Sequence, residues 1–382
     1  ALYAIACGDN HNNRKMELKL NQLSVDGLTE HLDKGVSASY AALIGNKLIV
    51  AGGANFPGKL GFEGGTKAYY SEIVSYDEES GKWRLIGHLP DSAAYGVSVP
   101  LSDGALGVGG NNATTSLRSV LRVSLNETGA AVLKPFPQLP ATMDNMAGSA
   151  IADTVFVAGG NIDGKPANRF YCIDARSGSE WKELPQFPGP PRLQPLLVPI
   201  KQNNRSYLYL LGGFFGGDSL RQPVISSEIL RYDVTAGKWE ITGELTDEET
   251  GEHFSLTGAV AMPVENRYIL CMGGVNRTIF LDAITTQYNI TYNGALTVEG
   301  RQLLHLEFSK EYMTRPIEDY KFSRECRIFD TVTGGWKTIL DTSLTARAGA
   351  TLVFEGKEFY VVQGELKPGV RTPVTIKGEI NL

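Results

Sequence analysis

Along most of the chain the apolar positions do not keep a helical period. They fall into short runs of β-branched and aromatic residues separated by Gly, Asn, Asp and Ser, the pattern of brief strands joined by tight turns. Five runs close on a glycine doublet: residues 46–53 (NKLIVAGG), 104–110 (GALGVGG), 153–160 (DTVFVAGG), 206–213 (SYLYLLGG) and 267–274 (RYILCMGG). A sixth, 357–364 (KEFYVVQG), has Gln363 in place of the first glycine. Such recurrence predicts a repeat architecture of six units, each one supersecondary element.

A second marker follows most doublets: an apolar residue and Asp, a turn with Gly or Ser, then Trp. It ends at Trp83, Trp181, Trp239 and Trp336, which are all the tryptophans of the protein, and in the second unit it has decayed to LRVSLNETGAAV. Doublet and marker together resemble the kelch repeat, which implies an all-β, six-bladed β-propeller of four-stranded antiparallel blades. The glycines then permit positive φ and close approach near the axis, and each Trp packs between neighbouring blades. The last unit ends one strand short, and KMELKLNQL, with Met16, Leu18 and Leu20 alternating with polar residues, reads as the missing outer strand. The expectation is a single domain over 1–382, its N-terminal strand closing the C-terminal blade.

Two segments exceed what a ring requires. The loop ANFPGKLGFEGGTKAYYSE after Gly53 is one. The other is an insertion of the fifth unit, about 281–322, where Leu304, Phe308 and Tyr312 have helical spacing. Both follow glycine doublets, so both are expected on the same side of the ring, as a lid or binding wall.

Composition narrows the function. The net charge of -6 and the absence of a basic run give no footprint for nucleic acid, and no apolar stretch is long enough to span a bilayer. The four cysteines, Cys7, Cys172, Cys271 and Cys326, lack ligand spacing and read as small buried hydrophobes, and the five histidines form no cluster, so no metal or other cofactor is expected. The opening ALYAIACGD has the look of the tail of a secretory signal, and Ala4 to Cys7 loosely resembles a lipoprotein cleavage box, with a lipid anchor at Cys7 the less favoured reading.

Candidate chemistry centres on GELKPGVRT, residues 364–372. Glu365 lies just beyond an apolar strand, where partial burial would raise its pKa into a useful acid/base range, and the Pro368-Gly369 turn can bring Arg371 back beside it to hold a carboxylate through two parallel bonds. A hairpin tip with an exposed ion pair fits the spacing equally well. Together with AGGANFPG, AYGVSVP and GGVNRTIF, the string resembles the bacterial sialic acid mutarotases, or N-acetylneuraminate epimerases, six-bladed kelch propellers of the periplasm. The order of the blocks differs, as in a cyclically permuted member.

That resemblance implies an isomerase of the anomers of N-acetylneuraminate or a related acidic sugar, exported in a bacterium, with Glu365 and Arg371 as its functional pair. Asn55, Phe56, Asn276 and Tyr95 match family blocks and are candidate ligand contacts, as are Arg347 and Arg192 near the first strands of their units. Asx turns and loop packing explain Asn55 and Asn276 as well, and core packing explains Tyr95. Two other functions compete. A non-catalytic kelch propeller would bind a protein or carbohydrate through its loops, and a copper radical oxidase would need a Tyr-Cys pair and histidine ligands that this sequence does not group.

Overall fold

The computed structural model describes residues 16–382. The expectation for Cys7 falls outside them. The apolar runs form six four-stranded antiparallel sheets, here I to VI in the order of their first strands: Tyr40–Ile44, Val97–Leu101, Ala147–Ile151, Leu196–Gln202, Ala259–Val264 and Thr351–Glu355. In sheets I to V consecutive strands pair outward. Sheet VI takes its fourth strand, Glu17–Gln22, from the other end of the chain, in register with Ile376–Asn381 from Glu17 opposite Asn381 to Gln22 opposite Ile376. Leu18 and Leu20 are buried there, in a core shared with Phe359 and Ile380.

Each first strand touches the first strands of the sheets before and after it, and sheet VI touches sheet I, so the sheets form a closed circle. At its centre runs a ring of main-chain hydrogen bonds. The N–H groups of Ala38, Tyr95, Asn145, Gln194, Gly258 and Gly349 each donate to the carbonyl of the equivalent residue in the preceding sheet, at 2.7, 3.0, 2.8, 2.8, 3.5 and 3.0 Å. All six residues have positive φ, between 54° and 69°. For Ala38, Tyr95, Asn145 and Gln194, which carry a Cβ, this backbone is strained locally and is held by the circle of bonds. The architecture is all-β and consistent with a β-propeller.

The tryptophans mark the seams between sheets. Trp83, Trp181, Trp239 and Trp336 donate Nε1–H to carbonyls of Ser24, Pro137, Pro185 and Glu244, each in the segment leaving the preceding sheet. Sheet II has no such Trp, and its inner face toward sheet I carries only Ala105 and Gly107 where sheet I has Leu48 and Val50. A cavity of about 90 Å³ opens at this seam, lined by Tyr40, Ile49, Ile73, Leu89, Gly107 and Leu121 among others.

Between the second and third strands of sheet V come three helices: α1 (Arg277–Thr291), α2 (Val298–Met313) and α3 (Ile317–Tyr320). Asn276 caps α1 by accepting from Ile279 N–H at 3.1 Å, and Thr297 caps α2 from Gly300 N–H at 3.0 Å. Phe280 of α1 meets Phe214, in the short hairpin that follows the second strand of sheet IV, edge to face with ring centres 4.9 Å apart. In α2 the helical spacing organises less than it promises, since Leu304 is exposed while Phe308 stacks on Tyr312 at 5.4 Å. Tyr320 and Phe322 are buried against Ala348, with Tyr312 packed beside them. Cys271 and Cys326 are buried and Cys172 half-buried, all three free thiols. Burial pushes the Cys326 thiol up to about 12. Among the described residues no helix is long and apolar enough to cross a membrane, and no three His, Cys, Asp or Glu side chains gather as for a metal.

Candidate active site

Glu365 and Arg371 face each other across a two-stranded hairpin, Glu365–Lys367 with Val370–Arg371, at one mouth of the central ring. The hairpin is not a free tip. Gly369 turns at φ 86°, and a Cβ there would strike Leu60 of the long loop at 2.4 Å and Met313 at the end of α2 at 3.1 Å. Lys367 donates its ammonium to the carbonyls of Met313 and Arg315, at 3.1 and 2.6 Å, where α2 ends and a cation is favoured. The loop and the helical insertion thus meet over this hairpin and fix it.

Arg371 is buried, with 3% of its side chain exposed, and its Nη1 lies 3.3 Å from Glu365 Oε2. Nε and Nη2 both donate to Ser37 Oγ, at 3.2 and 3.0 Å, and the guanidinium lies over the Phe56 ring at 5.4 Å. Glu365 keeps a quarter of its side-chain surface open. Loss of water around it pushes its carboxyl above the usual range, while Arg371, then Lys67 and the Gly369 N–H, pull the other way. Lys67 is half-buried, donates to Tyr95 Oη at 2.9 Å and sits over the rings of Tyr95 and Phe56 at 4.7 and 5.7 Å. One carboxyl therefore faces two cations, a local field that suits an anionic ligand.

The eight candidate residues divide into two groups. Glu365, Arg371, Phe56 and Tyr95 come together at this mouth. The other four are engaged in the framework. Asn55 is 3% exposed, donates to the carbonyls of Gly35 and His31 and accepts from Tyr70 Oη at 2.7 Å. Asn276 is the cap of α1. Arg192 and Arg347, 1% and 5% exposed, occupy equivalent places in sheets III/IV and V/VI and donate to main-chain carbonyls: Gly212 and Glu228 for Arg192, Gln363, Val374 and Leu344 for Arg347. Burial lowers both guanidinium pKa values to about 10.

The sequence points to Arg371 as a two-pronged holder of a ligand carboxylate, and in this structure two of its nitrogens converge on Ser37 and the third faces Glu365. Ser37 and Lys67 are the residues that sequence reading missed. Lys67 belongs to a loop already conspicuous for its length, whereas Ser37 meets Arg371 across 334 positions of chain, with no local signal.

A closed all-β ring with a crowded carboxyl and paired cations at its mouth defines the class. The sequence model of the N-acetylneuraminate epimerases, NANM, matches residues 7–132 and 136–382, and the chain belongs to that family. N-acetylneuraminate epimerase 1 of Escherichia coli O6:H1 is 25% identical over 66% of this chain and 62% of its own. The N-acetylneuraminate epimerase of Haemophilus influenzae strain 86-028NP is 29% identical over 66% of this chain and 61% of its own. The matched stretch spans about three fifths of the length of these curated relatives. The solved structure titled "Structure of YjhT" shares the fold, with a TM-score of 0.50 and 22% identity over 62% of each chain.

Proposed function

We propose that the protein is a mutarotase that interconverts the α and β anomers of N-acetylneuraminate. The observation that carries this reading is Glu365, a carboxyl with a raised pKa and an open edge, held against a buried guanidinium and beside a second cation. The ionised carboxylate takes the proton of the anomeric hydroxyl while water delivers one to the ring oxygen. The bond from the anomeric carbon to the ring oxygen breaks, a ketone forms, and rotation about the adjacent carbon–carbon bond presents its other face. Reclosure returns both protons. Only two protons and one C–O bond are exchanged, so the chemistry calls for no cofactor.

In this reading Arg371 positions Glu365 and supplies buried positive charge, and Lys67, the more accessible cation, meets the sugar carboxylate. The same proposal takes the six sheets as blades of a kelch propeller, the helices as an insertion in the fifth blade, the chain order as a cyclic permutation, and the location as exported. A collinear comparison of permuted rings aligns only part of each chain, in keeping with the 66% and 62% coverage. Exposed Val298, Leu303 and Leu306 on α2 favour, as a second reading, a scaffold that binds protein.

The test is proton NMR of freshly dissolved N-acetylneuraminate. Native protein should speed relaxation of the anomer ratio at catalytic concentration, and relaxation at the buffer rate would overturn the reading. Lys67→Met should raise KM for the acid with kcat retained, and the methyl ester, which lacks the charge, should bind poorly to native protein and variant alike. Equal affinity of native protein for acid and ester would remove Lys67 from the carboxylate.

A further inference from the structure

The mouth has a second polar side, directly across from Glu365. Just beyond sheet VI, Ala348 and Glu365 exchange main-chain hydrogen bonds, and just beyond sheet III the corresponding pair is Asp144 and Asn161. Asn161 is therefore the repeat counterpart of Glu365, three sheets of six away. Tyr69 lies between the two sides, edge-on to Tyr95 with ring centres 6.4 Å apart; burial raises its hydroxyl pKa, Tyr95 and Asp144 add to the rise, and Arg371 opposes it.

Hydrogen bonding fixes how this side presents itself. Asp144 is buried and accepts at Oδ1 from Asn145 Nδ2 at 2.7 Å and Asn161 Nδ2 at 2.9 Å, and at Oδ2 from Ser116 Oγ. Asn145 Oδ1 in turn accepts from Gln194 Nε2 at 3.2 Å. Asn145 and Asn161 turn their amide donors to the carboxylate and Gln194 turns its own to Asn145 Oδ1, which leaves the carbonyl oxygens of Asn161 and Gln194 without a hydrogen bond from the described residues. An amide has one donor end and one acceptor end, so anchoring the first aims the second. Asn111, in the place equivalent to Asn161 one sheet earlier, has a buried Oδ1 that also lacks a partner. The strained positive φ of Asn145 and Gln194 keeps both side chains on the innermost ring, whereas Gly258, Gly349 and Ala38 leave the other half of that ring open.

From this arrangement we infer that Asn161 and Gln194, positioned by Asp144, form a subsite that accepts hydrogen bonds from the polyol end of the substrate. This rests on the mutarotase reading and adds the determinant of substrate length. Cations on the Glu365 side attract a carboxylate, and a wall of acceptors backed by a carboxylate repels a second one and welcomes hydroxyl groups. The ligand that fits is anionic at the anomeric end and carries several hydroxyls at the other, as a nine-carbon sugar acid with its glycerol chain does.

The test compares N-acetylneuraminate with its seven-carbon analogue, in which periodate cleavage and borohydride reduction have shortened the glycerol chain. Native protein should prefer the full-length acid by about 10-fold in kcat/KM, the worth of one or two neutral hydrogen bonds. Asn161→Ala and Gln194→Ala should erase most of that preference through KM, at unchanged kcat. Asp144→Asn, which reverses the polarity of the anchor, should do the same without altering the pH profile. Equal losses on both substrates, or no preference in the native protein, would overturn the inference. Calorimetric titration with the two acids keeps the outcomes separate: preferential binding of the long acid without any anomerisation sinks the mutarotase reading and leaves the subsite standing.

Discussion

At the scale of single residues, the site depends on one carboxyl kept out of its ordinary range. Burial raises the Glu365 pKa above the usual 4.5, so the folded protein holds this proton more tightly than the unfolded chain. The sign follows: its contribution to stability is complete below the ordinary glutamate range and is lost as pH rises through the raised value. Glu365→Gln does not titrate, so thermal melts of variant and native protein should shift in the variant's favour as pH rises across that window; a pH-independent difference would refute the shift. The same variant should lose anomerase activity, while native activity should fall on acidification at a pH above that of an ordinary carboxylate. Arg371→Lys removes two hydrogen bonds to Ser37 and should destabilise the protein by about 1.5–3 kcal/mol, read from denaturant melts. The string GELKPGVRT made this pair legible, because its members are six residues apart and a turn lies between them. Ser37 was not legible, since only closure of the ring brings it to Arg371, and of Lys67 only the length of its loop gave a sign. Asn55 and Asn276 carried an ambiguous signal: amide side chains beside a glycine doublet serve turns and caps as readily as ligands, and here Asn55 is a buried tie and Asn276 a helix cap.

Among the elements, the sheets were the most legible and the seams between them less so. Repeat-locked glycines and tryptophans announce strands because they recur at the same place in successive units. The cavity between sheets I and II reflects two losses in one unit, a missing Trp and the small pair Ala105 and Gly107, and only the assembled seam shows that they add. Gly107 has an ordinary backbone, and a Cβ there would touch Tyr40 at 3.7 Å, a normal contact. Gly107→Ala should therefore stabilise the protein by about 0.5–1 kcal/mol, through a stiffer unfolded chain and a better filled seam. An unchanged or lowered midpoint in urea would show that the seam had already closed around the glycine. The helical insertion was visible as excess length with a helical period. Its attachment to the Glu365–Arg371 hairpin was not, because Lys367 binds main-chain carbonyls at and just past the end of α2, whatever side chains those residues carry.

For the whole molecule, closure is the governing fact. The six main-chain bonds at the centre involve residues as unlike as Ala38, Tyr95 and Gly349, so no residue preference could have disclosed them; the geometry of six sheets imposes the positive φ. Sheet VI joins the two ends of the chain, and Leu20, fully buried in that joint, should cost about 2–5 kcal/mol on truncation to alanine, with the loss spread over the single unfolding transition. A separate early melt confined to sheet VI would contradict a cooperatively closed ring. This joint also puts folding on a clock. Strand Glu17–Gln22 is made early, but its partner Ile376–Asn381 follows some 354 residues later, which at ordinary translation speed is roughly 20–70 s. Throughout that interval Leu18 and Leu20 have no strand to pair with, so the growing chain carries an adhesive segment until Ile376–Asn381 emerges to cover it.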